Sequence, residues 1–202
     1  LGRDFFLTLR VPNPIEEKNE AKILLETLES IPRSFDTSKE FYGEELAPIF
    51  EIVQPMTRSA AELDRIHRYY TDFVIGKQYK SIGDMRISEW IGKFKPESIH
   101  VIPLVEDKES MINVKKIVGE FISGKKLEYQ RVWLARSDPA LNYGMLSAVL
   151  LNKYATAQLD ELQEESSLDI FPIIGVGSVP FRGNFSPSNI NCLKGYPSVQ
   201  TF

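Results

Sequence analysis

Cysteine is nearly absent from this sequence. Cys192 stands alone among 202 residues, so no internal disulfide can form and a secreted disulfide scaffold is excluded. An excess of positive charge is also missing. The 24 Lys plus Arg stand against 28 Asp plus Glu, a net charge of −4, without the basic stripe expected of a nucleic-acid binder. No apolar run reaches the roughly 18 residues of a membrane span. The N-terminus lacks the basic region and long apolar run of a signal peptide. Only two histidines occur, and no His/Cys cluster suits zinc. Low-complexity tracts, internal repeats and linkers that would split the chain are absent as well, which leaves a globular protein of one domain, 1–202, expected in a reducing cytoplasm. An initiating Met is lacking too, and the chain stops at Val199-Gln200-Thr201-Phe202 as if within a strand, so a fragment or processed piece is expected.

What is present is an alternation of short apolar runs with helical patterns. Phe5–Val11, Ile49–Pro55, His100–Val105, Arg131–Arg136 and Ile170–Val176 read as strands covered on both faces, each followed by a polar or Gly/Pro break. Helical stripes lie between them. Asn13, Pro14 and Glu16 spell a helix start with a capping box, followed by Ile23, Leu24, Leu28 and Ile31 on one face. Ser59 and Glu62 spell a second start, before a stripe of Leu63, Ile66, Tyr70, Phe73 and Val74. Met111, Val114, Val118, Phe121 and Ile122 form a third. Pro139 opens a long pattern through Leu146, Val149 and Leu150 to about Glu165, and Ser186-Pro187 opens a short last helix. Gly76 to Arg86 reads as a loop-like insertion. The β-α alternation predicts a parallel sheet, closed either as an open doubly wound sheet or as part of a (β/α) barrel.

Ligands of such folds gather at the carboxyl ends of the strands. The residues there are Arg10, Gln54 with Thr57, Glu106 with Asp107, Arg136 with Ser137 and Asp138, and Gly175, Gly177, Ser178, Arg182 and Gly183. Carboxylates of this kind hold a hard divalent cation that keeps several waters. Arginines and Gly-rich backbone amides hold phosphate or carboxylate. Each residue also has a plainer reading. Asp138 before Pro139 fits a helix N-cap, Glu106 fits a solvated first-turn carboxylate, and Arg10 fits a partner for a structural carboxylate. Gly175-Val176-Gly177 opens like a dinucleotide loop, but Pro180 occupies the third glycine position. His67 and His100 read as structural or solvated, Cys192 as a small filler, Lys115-Lys116 and Lys125-Lys126 as solvated faces, and Trp90 and Trp133 as core.

Longer motifs carry a resemblance. Ala135-Arg136-Ser137-Asp138-Pro139-Ala140-Leu141-Asn142-Tyr143-Gly144 and Pro172-Ile173-Ile174-Gly175-Val176-Gly177-Ser178-Val179-Pro180-Phe181-Arg182-Gly183-Asn184 resemble signatures of archaeal-type phosphoenolpyruvate carboxylase. The segments 7–13, 64–70 and 101–107 are similar to that family too, so the likeness runs over essentially the whole chain. It implies an α/β fold that is part of a (β/α)₈ TIM-type barrel incomplete at both ends, usually in a homotetramer. It implies formation of oxaloacetate and phosphate from phosphoenolpyruvate and bicarbonate, with Mg²⁺ or Mn²⁺ and no biotin. By that resemblance Glu106 and Asp138 match metal-binding carboxylates, and Arg182 the catalytic arginine of the Gly-rich loop. Arg10 matches a substrate-phosphate arginine, while Arg136, Gly177, Ser178 and Gly183 lie in the substrate pocket.

The sequence departs from that pattern where the family's N-terminal His-Pro segment and its C-terminal strands would stand. Val105 takes the place of a Phe. The 202-residue piece by itself is therefore expected to be inactive. Two other readings stay open: a metal-dependent barrel lyase acting on phosphoenolpyruvate or pyruvate, and a non-catalytic remnant.

Overall fold

The structure is a computed structural model and describes residues 1–176, 185–186 and 188–202, with only the backbone at Cys192. Strands and helices alternate as the apolar runs predict. The elements are β1 (Thr8–Arg10), α1 (Ala21–Tyr42), β2 (Glu51–Gln54), α2 (Ala60–Arg68), a hairpin β3 (Ser81–Ile82) and β4 (Met85–Arg86), and α3 (Ile87–Ile91). They continue with β5 (His100–Val105), α4 (Lys108–Ile112), α5 (Val114–Ile122), β6 (Tyr129–Leu134), α6 (Ser137–Tyr143), α7 (Met145–Ser166) and β7 (Asp169–Ile174). Five strands form a parallel sheet in the order β1-β2-β5-β6-β7, and β3 pairs antiparallel with β4 apart from it. Thr201 lies parallel to Ile173 of β7, where the sequence predicts a further strand. The described residues thus form an α/β fold, and its core strands are rich in β-branched residues that suit a sheet covered on both faces.

The chain forms two compact units, Leu1–Gln54 with Glu62–Val101, and Pro55–Ala61 with Ile102–Phe202. In the first, α1 buries Leu24, Leu28, Ile31 and Phe35, and α2 buries Leu63 and Ile66. The first helix does not begin where the sequence predicts. Pro14–Glu16 form a turn, a 3₁₀ turn follows at Lys18–Glu20, and α1 starts at Ala21. Asn13 still organises this entry, because its Oδ1 accepts the Ile15 N–H. The carboxylate that reaches back is Glu17 rather than Glu16, and it accepts the Asn13 N–H at 2.8 Å. Phe73 departs from the predicted stripe and is mostly exposed, stacked on Tyr69. The cause is a π-helical stretch at Tyr69–Ile75, whose wider turn shifts the phase of the apolar face. The predicted insertion contains the β3–β4 hairpin, and Trp90 beside it is 65% exposed rather than core. β1 is shorter than its apolar run, pairing with β2 only over Thr8–Arg10, and Phe5, Phe6 and Leu7 before it are exposed.

In the second unit Met111, Val114, Val118, Phe121 and Ile122 are buried as the third stripe predicts. The long pattern after Pro139 is two helices, because Gly144 at φ +86° separates α6 from α7. The buried face of α7 carries Ala148, Asn152, Ala155, Leu159 and Leu162, and Leu146 and Leu150 face outward. Small residues let α7 lie close to its neighbours, so the larger leucines take the other side. Lys115 is no solvated lysine: it bridges Glu161 and Glu165 of α7 at 3.1 and 2.7 Å. Lys125 lies over the Phe121 ring and donates to the Phe121 carbonyl. Near the end of the chain Ser186 and Asn189 close a turn, and the helical turn begins only at Asn191. Pro187, and the side chain of Cys192, lie outside what is described.

Candidate active site

Polar residues collect where strands end, as the fold class dictates. After β2 the chain turns sharply through Pro55-Met56-Thr57. Met56 has φ +51°, a left-handed conformation that a side chain with Cβ adopts at a cost of about 1 kcal/mol. Two hydrogen bonds hold that turn. The Thr57 N–H donates to the Leu104 carbonyl at 3.0 Å, and the Met56 N–H donates to Glu106 Oε2 at 2.6 Å. Glu106, half-buried just past β5, is thereby oriented by a backbone donor 50 residues away in sequence. It is not the solvated first-turn carboxylate of the plainer reading.

Its neighbour Asp107 takes the helix-capping role. One oxygen accepts the Ser110 N–H at 2.9 Å, the other accepts the Ser110 hydroxyl at 2.8 Å, and Arg58 lies 3.6 Å away. The cap was legible as an Asp three residues before a Ser. The left-handed Met56 was not, since nothing in Pro-Met-Thr spells a positive φ.

After β6, Arg136 is the residue preceding α6 and is only 6% exposed. Its Nη2 donates to Met145 Sδ at 3.8 Å. Asp138 lies in the first turn of α6, is exposed, and makes no side-chain hydrogen bond among the described residues. It is therefore not the N-cap that its place before Pro139 predicts. The backbone here is pinned from behind: buried Asn152 donates to the Ala135 and Ala148 carbonyls at 3.0 and 2.9 Å. Past β7, Gly175 sits against Trp133, and a Cβ there would lie 2.9 Å from the indole nitrogen. Gly177, Ser178, Arg182 and Gly183 lie outside the described residues.

β5 and β6 are paired neighbours in parallel register, Leu104 with Trp133 and Val105 with Leu134. Glu106 and Arg136–Asp138 therefore follow the same end of adjacent strands. Among the described residues no group of three or more His, Cys, Asp or Glu forms a metal cage. Two carboxylates, one oriented by a backbone donor and one uncommitted, are nonetheless a donor set that suits Mg²⁺, which binds through one or two carboxylates and keeps waters.

In the first unit, Arg10 ends β1 and is half-exposed. It pairs with Glu17 at 3.2 Å, the structural carboxylate that its plainer reading expects. The Asn13 N–H, and then Arg10 itself, hold the Glu17 carboxyl below its usual range. A cavity of about 360 Å³ lies between α1 and α2, where apolar residues such as Leu24, Leu28 and Ile66 share the lining with Asn13, Lys22, Gln54, Glu62, Arg65 and Tyr69. The two histidines stand away from the carboxyl ends of the strands, His67 on α2 and His100 at the start of β5.

The chain is similar to known proteins over its whole length. The family described as phosphoenolpyruvate carboxylase matches residues 1–202. Phosphoenolpyruvate carboxylases of Methanothermobacter thermautotrophicus and Methanospirillum hungatei are each 58% identical, over 94% and 100% of this chain. That of Pyrococcus abyssi is 52% identical over 100% of it. The chain spans 40%, 42% and 43% of the length of these relatives. End-to-end coverage by the family, together with relatives 52–58% identical, establishes that this chain belongs to the archaeal-type phosphoenolpyruvate carboxylase family.

Proposed function

We propose that the protein carrying this chain is a phosphoenolpyruvate carboxylase, joining phosphoenolpyruvate and bicarbonate into oxaloacetate with release of phosphate. The observation that carries this reading is the match of the family over residues 1–202. The pairing of β5 with β6, which sets Glu106 and Asp138 after the same end of neighbouring strands, supports it. In this reading the 202 residues are part of one (β/α)₈ barrel domain.

Glu106 and Asp138 would hold Mg²⁺ or Mn²⁺. When bound, the ion supplies Lewis-acid polarisation of a substrate oxygen. The chain's own residues do the rest. The Met56 N–H keeps the Glu106 carboxylate turned one way. Arg182 acts as the catalytic arginine and offsets charge on the phosphoryl oxygens as they pass to bicarbonate. Arg10 gives a second positive charge toward the substrate phosphate. Arg136, Gly177, Ser178 and Gly183 complete the substrate pocket, the backbone amides of the Gly-rich loop serving as anion donors. Water must be kept out once the phosphoryl group has left, or the enolate takes a proton and ends as pyruvate.

The working protein in this reading is cytoplasmic, needs no biotin and assembles as a homotetramer. The exposed Tyr79, Ile82, Trp90 and Ile91 support an assembling surface, since apolar groups of this size gathered on one short segment mark contact sites.

The test is oxaloacetate formation by the full natural polypeptide that carries this chain, supplied with phosphoenolpyruvate and Mg²⁺, with and without bicarbonate. Strict bicarbonate dependence supports the carboxylase. Turnover of phosphoenolpyruvate or pyruvate without bicarbonate would replace it with a lyase, and ligand binding without turnover would replace it with a remnant.

A further inference from the structure

A buried cation needs an anion, and Arg136 has none within the described chain. Its residue is 6% exposed, and its Nε is buried with no hydrogen-bond partner. The contact that its Nη2 makes is to the thioether of Met145 at 3.8 Å, a weak acceptor. No Asp or Glu among the described residues pairs with it. Sequence positions 177–184 and 187 contain no acidic residue, and the charged side chain among them, Arg182, is another cation. A guanidinium left this way costs far more than an exposed one, because both its charge and its donors have lost water.

Its position is costly to keep and is nevertheless held firmly. Asn152, itself fully buried, ties the carbonyl of Ala135 just before it. The Ala140 N–H ties the carbonyl of Arg136 itself at 3.0 Å, and Pro139 and Ala140 are buried behind it. The whole arrangement sits at the carboxyl end of β6, two residues from Asp138. A desolvated and uncompensated guanidinium on a firmly held backbone in that place is what an anion site looks like before the anion arrives.

We propose that Arg136 is the subsite for the substrate's carboxylate, which it grips with two parallel N–H donors. The inference rests on the carboxylase reading for the identity of the substrate. Charge decides between the two ends of that molecule. One buried guanidinium neutralises a monoanion such as a carboxylate. A phosphoryl dianion in the same setting would leave a net negative charge in a low-dielectric pocket, which is why it needs several cations or a metal. The planar fork also matches a planar carboxylate, which a lysine ammonium does not.

The experiment titrates three probes calorimetrically into the full natural polypeptide and its R136M and R136K variants, with Mg²⁺ present. The probes are phosphoenolpyruvate, pyruvate for the carboxylate without the phosphate, and inorganic phosphate for the reverse. R136M is expected to weaken phosphoenolpyruvate and pyruvate by about 100-fold, and R136K by about tenfold, with phosphate changed less than about twofold. R136M is expected to melt no lower than the parent, since the substitution removes an uncompensated charge at similar volume. If R136M does not fold, R136K decides by the same comparison of pyruvate with phosphate. Equal weakening of pyruvate and phosphate would overturn the carboxylate assignment. Unchanged binding of all three would overturn the anion site altogether. Pyruvate binding that depends on Arg136 in a protein making no oxaloacetate would keep the subsite and remove the carboxylase. Normal oxaloacetate formation by R136M with an unchanged KM would do the opposite.

Discussion

Arg136 and Glu45 are handled in opposite ways. Glu45, on the surface of the first unit, has lysines on two sides: Lys39 and Lys95 each reach it at 2.6 Å. These charges are in water, where a pair contributes little. Arg136, in the second unit, is out of water, where pairing matters most, and has no carboxylate among the described residues. Charges placed for stability are paired wherever chance allows. A charge held unpaired at real cost, at the end of a strand that carries family motifs, is held for something that comes and goes.

The largest effect expected is on turnover. Asp138→Asn in the full polypeptide should lower oxaloacetate formation about a thousandfold, the scale of losing a metal carboxylate. Asp138 is exposed and makes no side-chain hydrogen bond among the described residues, so the melting free energy should move by less than about 0.5 kcal/mol, the scale of a first-turn carboxylate. A large loss of stability together with activity would mean that Asp138 is structural after all, and the contrast would fail.

Next comes Arg136→Met measured without ligand. Removing a buried unpaired charge should stabilise the protein by about 1–3 kcal/mol in denaturant titration. A destabilised variant would show that Arg136 has a structural partner and belongs with Glu45. Gly175→Ala should cost about 1–3 kcal/mol in the same titration, because the new methyl meets the Trp133 indole at 2.9 Å. Gly175→Ala combined with Trp133→Phe should recover part of that loss.

The smallest effect is at Glu45. The hydrogen bonds from Lys39 and then Lys95 pull its carboxyl down from 4.5 to about 2. A carboxyl whose folded value lies below its unfolded one adds stability above the unfolded value. That contribution fades as the pH falls from about 4.5 toward 2. Comparing parent with Glu45→Gln by thermal melts at successive pH values should give curves that separate above pH 5 and converge as the pH falls through that window. Parallel curves would remove Glu45 from the acid response.

Much of this was legible in the order of residues. Apolar runs bounded by turn residues located five strands to within a few positions, because burial on both faces leaves few alternatives to β-branched and aromatic residues. The strand-end polar residues followed from that alternation. Local phase was less secure. Phe73 left its stripe because a π turn intervened, and the pattern after Pro139 broke at Gly144, whose positive φ is as easily a helical glycine in one dimension. On α7 the apolar positions Leu146 and Leu150 looked like a core face, yet Ala148, Ala155 and Leu159 pack instead. Close helix packing selects for small residues, which a hydrophobicity pattern undervalues.

By itself the sequence determined the alternation of strands and helices, the strand-end positions of Glu106, Arg136 and Asp138, and membership of the family. These depend on local periodicity and on motifs that lie within a few residues of each other. The tertiary structure alone decided which of those groups are already committed. It gave Arg10 to Glu17, Asp107 to Ser110 and Glu106 to the left-handed Met56, and it buried Arg136 with a thioether for company. The bond from Met56 to Glu106 joins residues far apart in the chain, and the burial of Arg136 exists only in the folded chain. Desolvation and long-range pairing exist only once the chain has folded back on itself.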